Sequence, residues 1–143
     1  MVDKGNVLTI GVCYKSPNAE DSEVNELMNI IKKVSNNMVL IMGDFNFPGM
    51  DWVTLKADAT GSKFLDLTQD CYLTQHVLKP TRYDNILDVV LSSEENMVEE
   101  LFVLEHLANL ATIILLHGKQ LVKQLLIKMI KSLLIFTRLI MTK

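Results

Sequence analysis

Residues 39–52 read VLIMGDFNFPGMDW. Met38 to Met42 is continuously apolar, the pattern of a strand covered on both faces, and the run then breaks into a turn that carries Asp44 and Asn46. In α/β sheets functional side chains gather at strand ends, where the sheet fixes the backbone and the following loop leaves side chains within reach of a ligand. A carboxylate there binds a hard cation or takes a proton from water. An amide two residues on, sharing its side if the chain stays extended, donates to an anionic oxygen. Gly43 permits tight backbone geometry just before the acid. Gly-Asp-Phe-Asn is also an ordinary way to open a turn, and the four residues alone do not separate the two readings.

The flanking sequence supplies the frame. Val7 to Tyr14 (VLTIGVCY) is a β-rich run that ends at Ser16-Pro17-Asn18, where Pro and Asn favour a turn. From Glu20 to Val34 apolar residues recur near helical spacing, with acids early and Lys32-Lys33 late, as the helix dipole prefers; Asn36-Asn37 follows as a stop. Strand, helix, strand is the α/β rhythm. Beyond Phe47-Pro48-Gly49, Gly61-Ser62 leads into KFLDLTQDC, a short amphipathic helix, and two strand-length runs follow at Ile86–Leu91 and Leu101–Leu104. Trp52 either caps the core or offers a stacking face. His76 lies on an apolar stretch and reads as a packed residue or one bonded to a carbonyl.

At 143 residues with 49% apolar content the chain has the size and make-up of one globular domain. Its net charge of −3 conceals an asymmetry: residues 1–105 hold all 17 acids against 8 Lys and Arg, a net −9, whereas residues 106–143 carry +6 and no acid. From Leu107 the texture becomes a Leu, Ile and Lys mixture, which reads as a basic amphipathic helix suited to a membrane surface or a partner helix. Its longest uncharged stretch, His106 to Gly118, has 13 residues, short of the roughly 18 to 20 that a membrane span needs. Cys13 and Cys71 have no metal spacing and read as buried thiols of a reducing, intracellular compartment, nuclear or cytoplasmic.

Four stretches taken together, GVCYKSPN, VLIMGDFNFPGMDW, FLDLTQDCYLTQHVLKPTR and NILDVVLSSEENMVEEL, resemble in order and spacing the endonuclease/exonuclease/phosphatase superfamily. They look most like the endonuclease domain of non-LTR (LINE-type) retrotransposons. The resemblance covers roughly residues 8–109. It implies a two-sheet α/β sandwich, of which this chain would hold the C-terminal half, and Mg²⁺-dependent hydrolysis of DNA phosphodiesters. It also implies a reverse transcriptase fused in the parent element. By the same resemblance Asp44 orients or deprotonates the attacking water, Asn46 hydrogen-bonds the phosphoryl oxygen, Tyr14 is the active-site tyrosine, and Asn18 contacts substrate. Asp88, in ILDVVL, polarises a catalytic His, and Arg82 is a candidate phosphate contact.

The pattern breaks at both ends. The family's first catalytic Asn and its metal-binding Glu come from strands that precede LTIGVCY. Its Ser-Asp-His ending is replaced by Leu110-Ala111-Thr112, and neither His106 nor His117 falls in register. Codons TTA GCG ACC ATA for Leu110 to Ile113, entered two nucleotides later, give Ser-Asp-His, so a frame change accounts for the lost His and the acid-free tail together. Residues 1–109 are thus expected to be a partial endonuclease domain and 110–143 a divergent, frameshifted, helical tail. The expected function is a retrotransposon endonuclease fragment, inactive as it stands, with weak or absent DNA binding. The alternative is a non-enzymatic binding module that uses the basic tail.

Overall fold

The computed structural model of the protein describes residues 8–98, 100–106 and 110–116. Strand β1 (Leu8–Tyr14), helix α1 (Asp21–Val34) and strand β2 (Met38–Asp44) form a crossover unit in which the two strands run parallel, Leu8 opposite Met38 through Tyr14 opposite Asp44. Helix α1 begins where the Glu23 carboxylate accepts the Glu20 N–H at 2.8 Å. Lys32 and Lys33 occupy its last turn. It ends at Ser35, one residue before Asn36-Asn37.

Helix α2 (Ala59–Asp70) starts earlier than Gly61-Ser62 suggested, because Asp58 caps it: the Asp58 carboxylate accepts the Gly61 N–H at 2.8 Å, which places Gly61 inside the first turn. Strand β3 (Thr74–Gln75) and strand β4 (Asp88–Ser92) complete a four-stranded sheet of order β1-β2-β4-β3, with β4 antiparallel to both neighbours.

Alternation along β2 and β4 sorts the core into two layers. Val39, Ile41, Val89 and Leu91 point to one face, where Val24 and Ile31 of α1 and Phe64 and Leu65 of α2 bury them. Leu40 and Val90 point to the other, with Val77 and Met97, and Leu101 packs against that cluster. Leu101 belongs to strand β5 (Glu100–His106), which pairs antiparallel with strand β6 (Leu110–Leu116) in a second, two-stranded sheet. Helices on one face and a second sheet on the other make this an α/β fold of the expected sandwich type.

Two further expectations change. Residues 110–116, assigned to a helical tail, form β6: the run ATIILL contains the β-branched residues Thr112, Ile113 and Ile114, and it pairs along the whole length of β5. The rest of the tail, 117–143, lies outside the described residues. Cys13 and Cys71 are free thiols but only half-buried.

Candidate functional site

The Gly-Asp-Phe-Asn segment is built from residues that each answer a backbone demand. Gly43 has φ +147°, and a Cβ there would lie 1.8 Å from the Cys13 carbonyl oxygen, so only glycine lets β2 lie this close to β1. Phe45 is wholly buried against Phe64, ring centroids 5.1 Å apart, and its N–H donates to Leu87 O at 2.9 Å. Asn46 sits in the left-handed region, φ 49°, which Asn tolerates better than most residues. The chain therefore does not stay extended from Asp44 to Asn46. Because β2 ends at Asp44, strand alternation does not set where the Asn46 side chain stands relative to it.

Three of the residues singled out in the sequence fall in one row. Tyr14 is opposite Asp44 across β1 and β2, and Asp44 is opposite Asp88 across β2 and β4. Cross-strand partners share a face of the sheet, here the face of Leu40 and Val90, away from the helices. Tyr14 is largely exposed at the outer end of the row. The two carboxylates are withdrawn: Asp44 Oδ1 and Asp88 Oδ2 are buried and have no hydrogen-bond partner among the described residues.

Arg82 joins this row as an ion-pair partner. Its Nη2 donates to Asp44 Oδ2 at 3.2 Å, and its side chain is only 23% exposed. The loop that carries it is fixed by Thr81, whose buried hydroxyl accepts the N–H groups of Leu87 and Asp88, both at 3.0 Å. Thr81 N–H and Arg82 N–H both donate to Asn85 O. Burial chiefly pushes the Asp88 carboxyl above its ordinary range. The charge on Asp44 adds to this, while the Thr81 hydroxyl and Arg82 oppose it.

Asn18 is placed apart, in the exposed turn after β1, where its N–H donates to Ser16 Oγ at 3.2 Å. Trp52 packs edge-on against Phe64, centroids 6.2 Å apart, and so caps the core. Trp52 also lines an open 440 Å³ cavity between the Pro48–Val53 and Leu78–Ile86 loops. His76 bonds a hydroxyl rather than a carbonyl: Nε2 is 2.6 Å from Ser92 Oγ. Because that hydroxyl donates to Glu94 O at 2.7 Å, the His76 Nε2 carries the proton.

The family described as endonuclease-reverse transcriptase matches residues 8–111. The chain belongs to the endonuclease-reverse transcriptase family. Among solved structures it is similar to the endonuclease domain of TRAS1, a telomere-specific non-LTR retrotransposon, with a TM-score of 0.56 and 16% identity. That match covers 75% of this chain and 56% of the other, and at such identity it speaks to the fold. The chain thus spans little more than half the length of that domain. No curated protein matches it.

This endonuclease-reverse transcriptase segment holds no group of three or more His, Cys, Asp or Glu able to bind a metal ion among the described residues. The family suggests a divalent cation, and the two unpartnered carboxylate oxygens are the right chemistry for one. The donor set is nonetheless two carboxylates, one already neutralised by Arg82. The described residues do not by themselves fit a divalent-metal site. Nor did the sequence flag Thr81, in the loop before β4, or Lys15, directly after β1, as buried polar groups. The signal for Thr81 was its place beside Arg82. For Lys15 it was a cation directly after a strand.

Proposed function

We propose that this segment derives from a metal-dependent endonuclease that hydrolyses DNA phosphodiesters, and that the 143-residue chain does not itself cleave DNA. The observation that carries the reading is the row Tyr14, Asp44, Asp88 across three neighbouring strands. In this reading Asp44 orients or deprotonates the attacking water and Asn46 donates to the phosphoryl oxygen as charge builds on it. Arg82 leaves Asp44 for a phosphate when substrate arrives, since a guanidinium serves either anion. Asp88, with a buried oxygen awaiting a donor, holds an imidazole supplied at position 112, where this chain has Thr112 on β6. Groups that act as a unit lose activity together, which is why two carboxylates and an amide are not expected to suffice.

Inactivity and Mg²⁺ dependence are tested in one experiment. Supercoiled plasmid is incubated, with Mg²⁺ or with EDTA in its place, with either the native chain or a chimera that adds the preceding half of a related endonuclease domain and Ser-Asp-His at 110–112. The chimera is expected to nick, and Asp44→Ala or Asn46→Ala to remove most of that activity. A chimera that folds and never nicks would sink the nuclease reading. Nicking by the native chain, lost on Asp44→Ala, would sink the claim of inactivity. The alternative, a binding module with a basic helix at 110–143, loses its first seven residues to β6.

A further inference from the structure

Lys15 is more than nine-tenths buried, an uncommon state for a lysine. Its backbone N–H donates to Asp44 O at 2.8 Å, which ties it to the strand end beside the candidate site. The ammonium donates to Ser16 O at 3.2 Å and stands 4.7 Å from the centre of the Phe47 ring. An ammonium has three N–H donors. One carbonyl and one aromatic face leave a donor without an acceptor, and no carboxylate lies within ion-pair distance among the described residues. Arg82, by contrast, has a carboxylate partner in Asp44.

A buried cation without a counterion costs free energy unless something else supplies negative charge. Its position says where that charge would come from. Lys15 directly follows β1, and its ammonium stands over Phe47, a residue of the helix-side core, whereas Tyr14 lies on the opposite side with Asp44. Burial pushes the Cys13 thiol up to about 11; the charge on Asp44 adds to this and that on Lys15 opposes it. Lys15 is therefore close to the row of acids but not part of it.

We propose that the Lys15 ammonium binds a phosphate oxygen of a nucleic-acid strand, at a phosphate neighbouring the one that meets Asp44. The ligand class rests on the nuclease reading above. Phe47 and Ser16 O hold the head group in place, so the cation is preorganised and little side-chain entropy is lost on contact. With a net −9 in residues 1–105, a fixed cation at the strand ends is the local means of drawing a polyanion to this surface.

The test measures binding rather than cleavage. A labelled single-stranded oligonucleotide is titrated with the full 143-residue chain in EDTA, from low to moderate salt, and followed by fluorescence anisotropy. Lys15→Met is expected to weaken binding about 3- to 10-fold and to lower the slope of log K against log salt by about 0.7, the loss of one phosphate contact. Lys15→Arg should retain most of the affinity. Lys15→Gln, which keeps an N–H but no charge, should behave as Lys15→Met, and its circular dichroism guards against a folding defect. Unchanged affinity and slope in Lys15→Met, or no binding by the native chain at low salt, overturns the proposal. Because no metal is present, a chimera that never nicks defeats the nuclease reading without touching this result.

Discussion

Asp44 and Asp88 stand directly opposite each other where β2 and β4 pair, each with one carboxylate oxygen buried and unpartnered among the described residues. Only Asp44 has an ion-pair partner, Arg82. The fold therefore disfavours the charged form of Asp88, whose carboxyl is raised by burial first and by Asp44 second among the causes that raise it. Below the unfolded value of about 3.9 both states are protonated and Asp88 contributes its full stability. That contribution is lost as pH rises through the raised folded value. Asp88→Asn should accordingly raise the thermal midpoint at pH 7.5 by about 2–4 °C, with the gain gone near pH 4. Thermal melts by circular dichroism at the two pH values check this, and a lower midpoint at pH 7.5 would contradict it.

Gly43→Ala should remove cooperative unfolding altogether. The added Cβ meets backbone, not a movable side chain, at 1.8 Å, and φ +147° is strained for any L residue. The expected loss is about 4 kcal/mol or more, at the extreme of single substitutions. Gly11→Ala is the control: its Cβ would meet Ile41 side-chain carbons at 3.6 and 3.8 Å, ordinary contact. Urea titration of the pair checks the contrast.

Thr81→Val should cost about 2 kcal/mol, because it strands the buried N–H groups of Leu87 and Asp88 while keeping the volume. Thr81→Ser should cost less, since the acceptor remains. Hydrogen exchange resolves the mechanism: the Leu87 and Asp88 amides should lose protection in the Val variant ahead of Val89 and Val90.

His76 gives the opposite pH response to Asp88. Burial lowers its value in the fold, with Glu95 opposing, so the unfolded chain takes up the proton first as pH falls below about 6.5. Stability is full above that pH and declines as pH falls toward the lowered folded value. His76→Gln should lose part of the Ser92 interaction at pH 7.5 but show a flatter midpoint between pH 7 and 5. Equal slopes for the two proteins would refute this.

Much of the sheet's left half was legible because its signals are local. β1, α1 and β2 each carry a continuous pattern, and strand-helix-strand dictates parallel pairing. Asp44 and Tyr14 were legible as strand-end residues, whereas Asp88 was read inside the run Ile86–Leu91 and in fact begins β4. Their alignment in one row was not legible, since register between β2 and β4 is set by contacts 44 residues apart in sequence at Asp44 and Asp88. Arg82 as a partner of Asp44 was hidden for the same reason, and so was β3, two residues long. β6 was misread because a Leu and Ile run with no breaker suits helix or strand, and only its pairing with β5 decides between them.

Strand β1 has β2 on one side and, among the described residues, no strand on the other. Outward-facing amides and carbonyls from Leu8 to Tyr14 thus form a template for any extended chain that can reach them, with Val12 and Tyr14 exposed beside it. No proline or bulge blunts that margin within the strand, and its side chains are uncharged from Leu8 through Tyr14. In a concentrated solution the cheapest available neighbour is another molecule of the same protein. Self-association of such margins would grow with concentration, persist at high salt because no charge is involved, and tighten the amide exchange of β1 before that of any other strand.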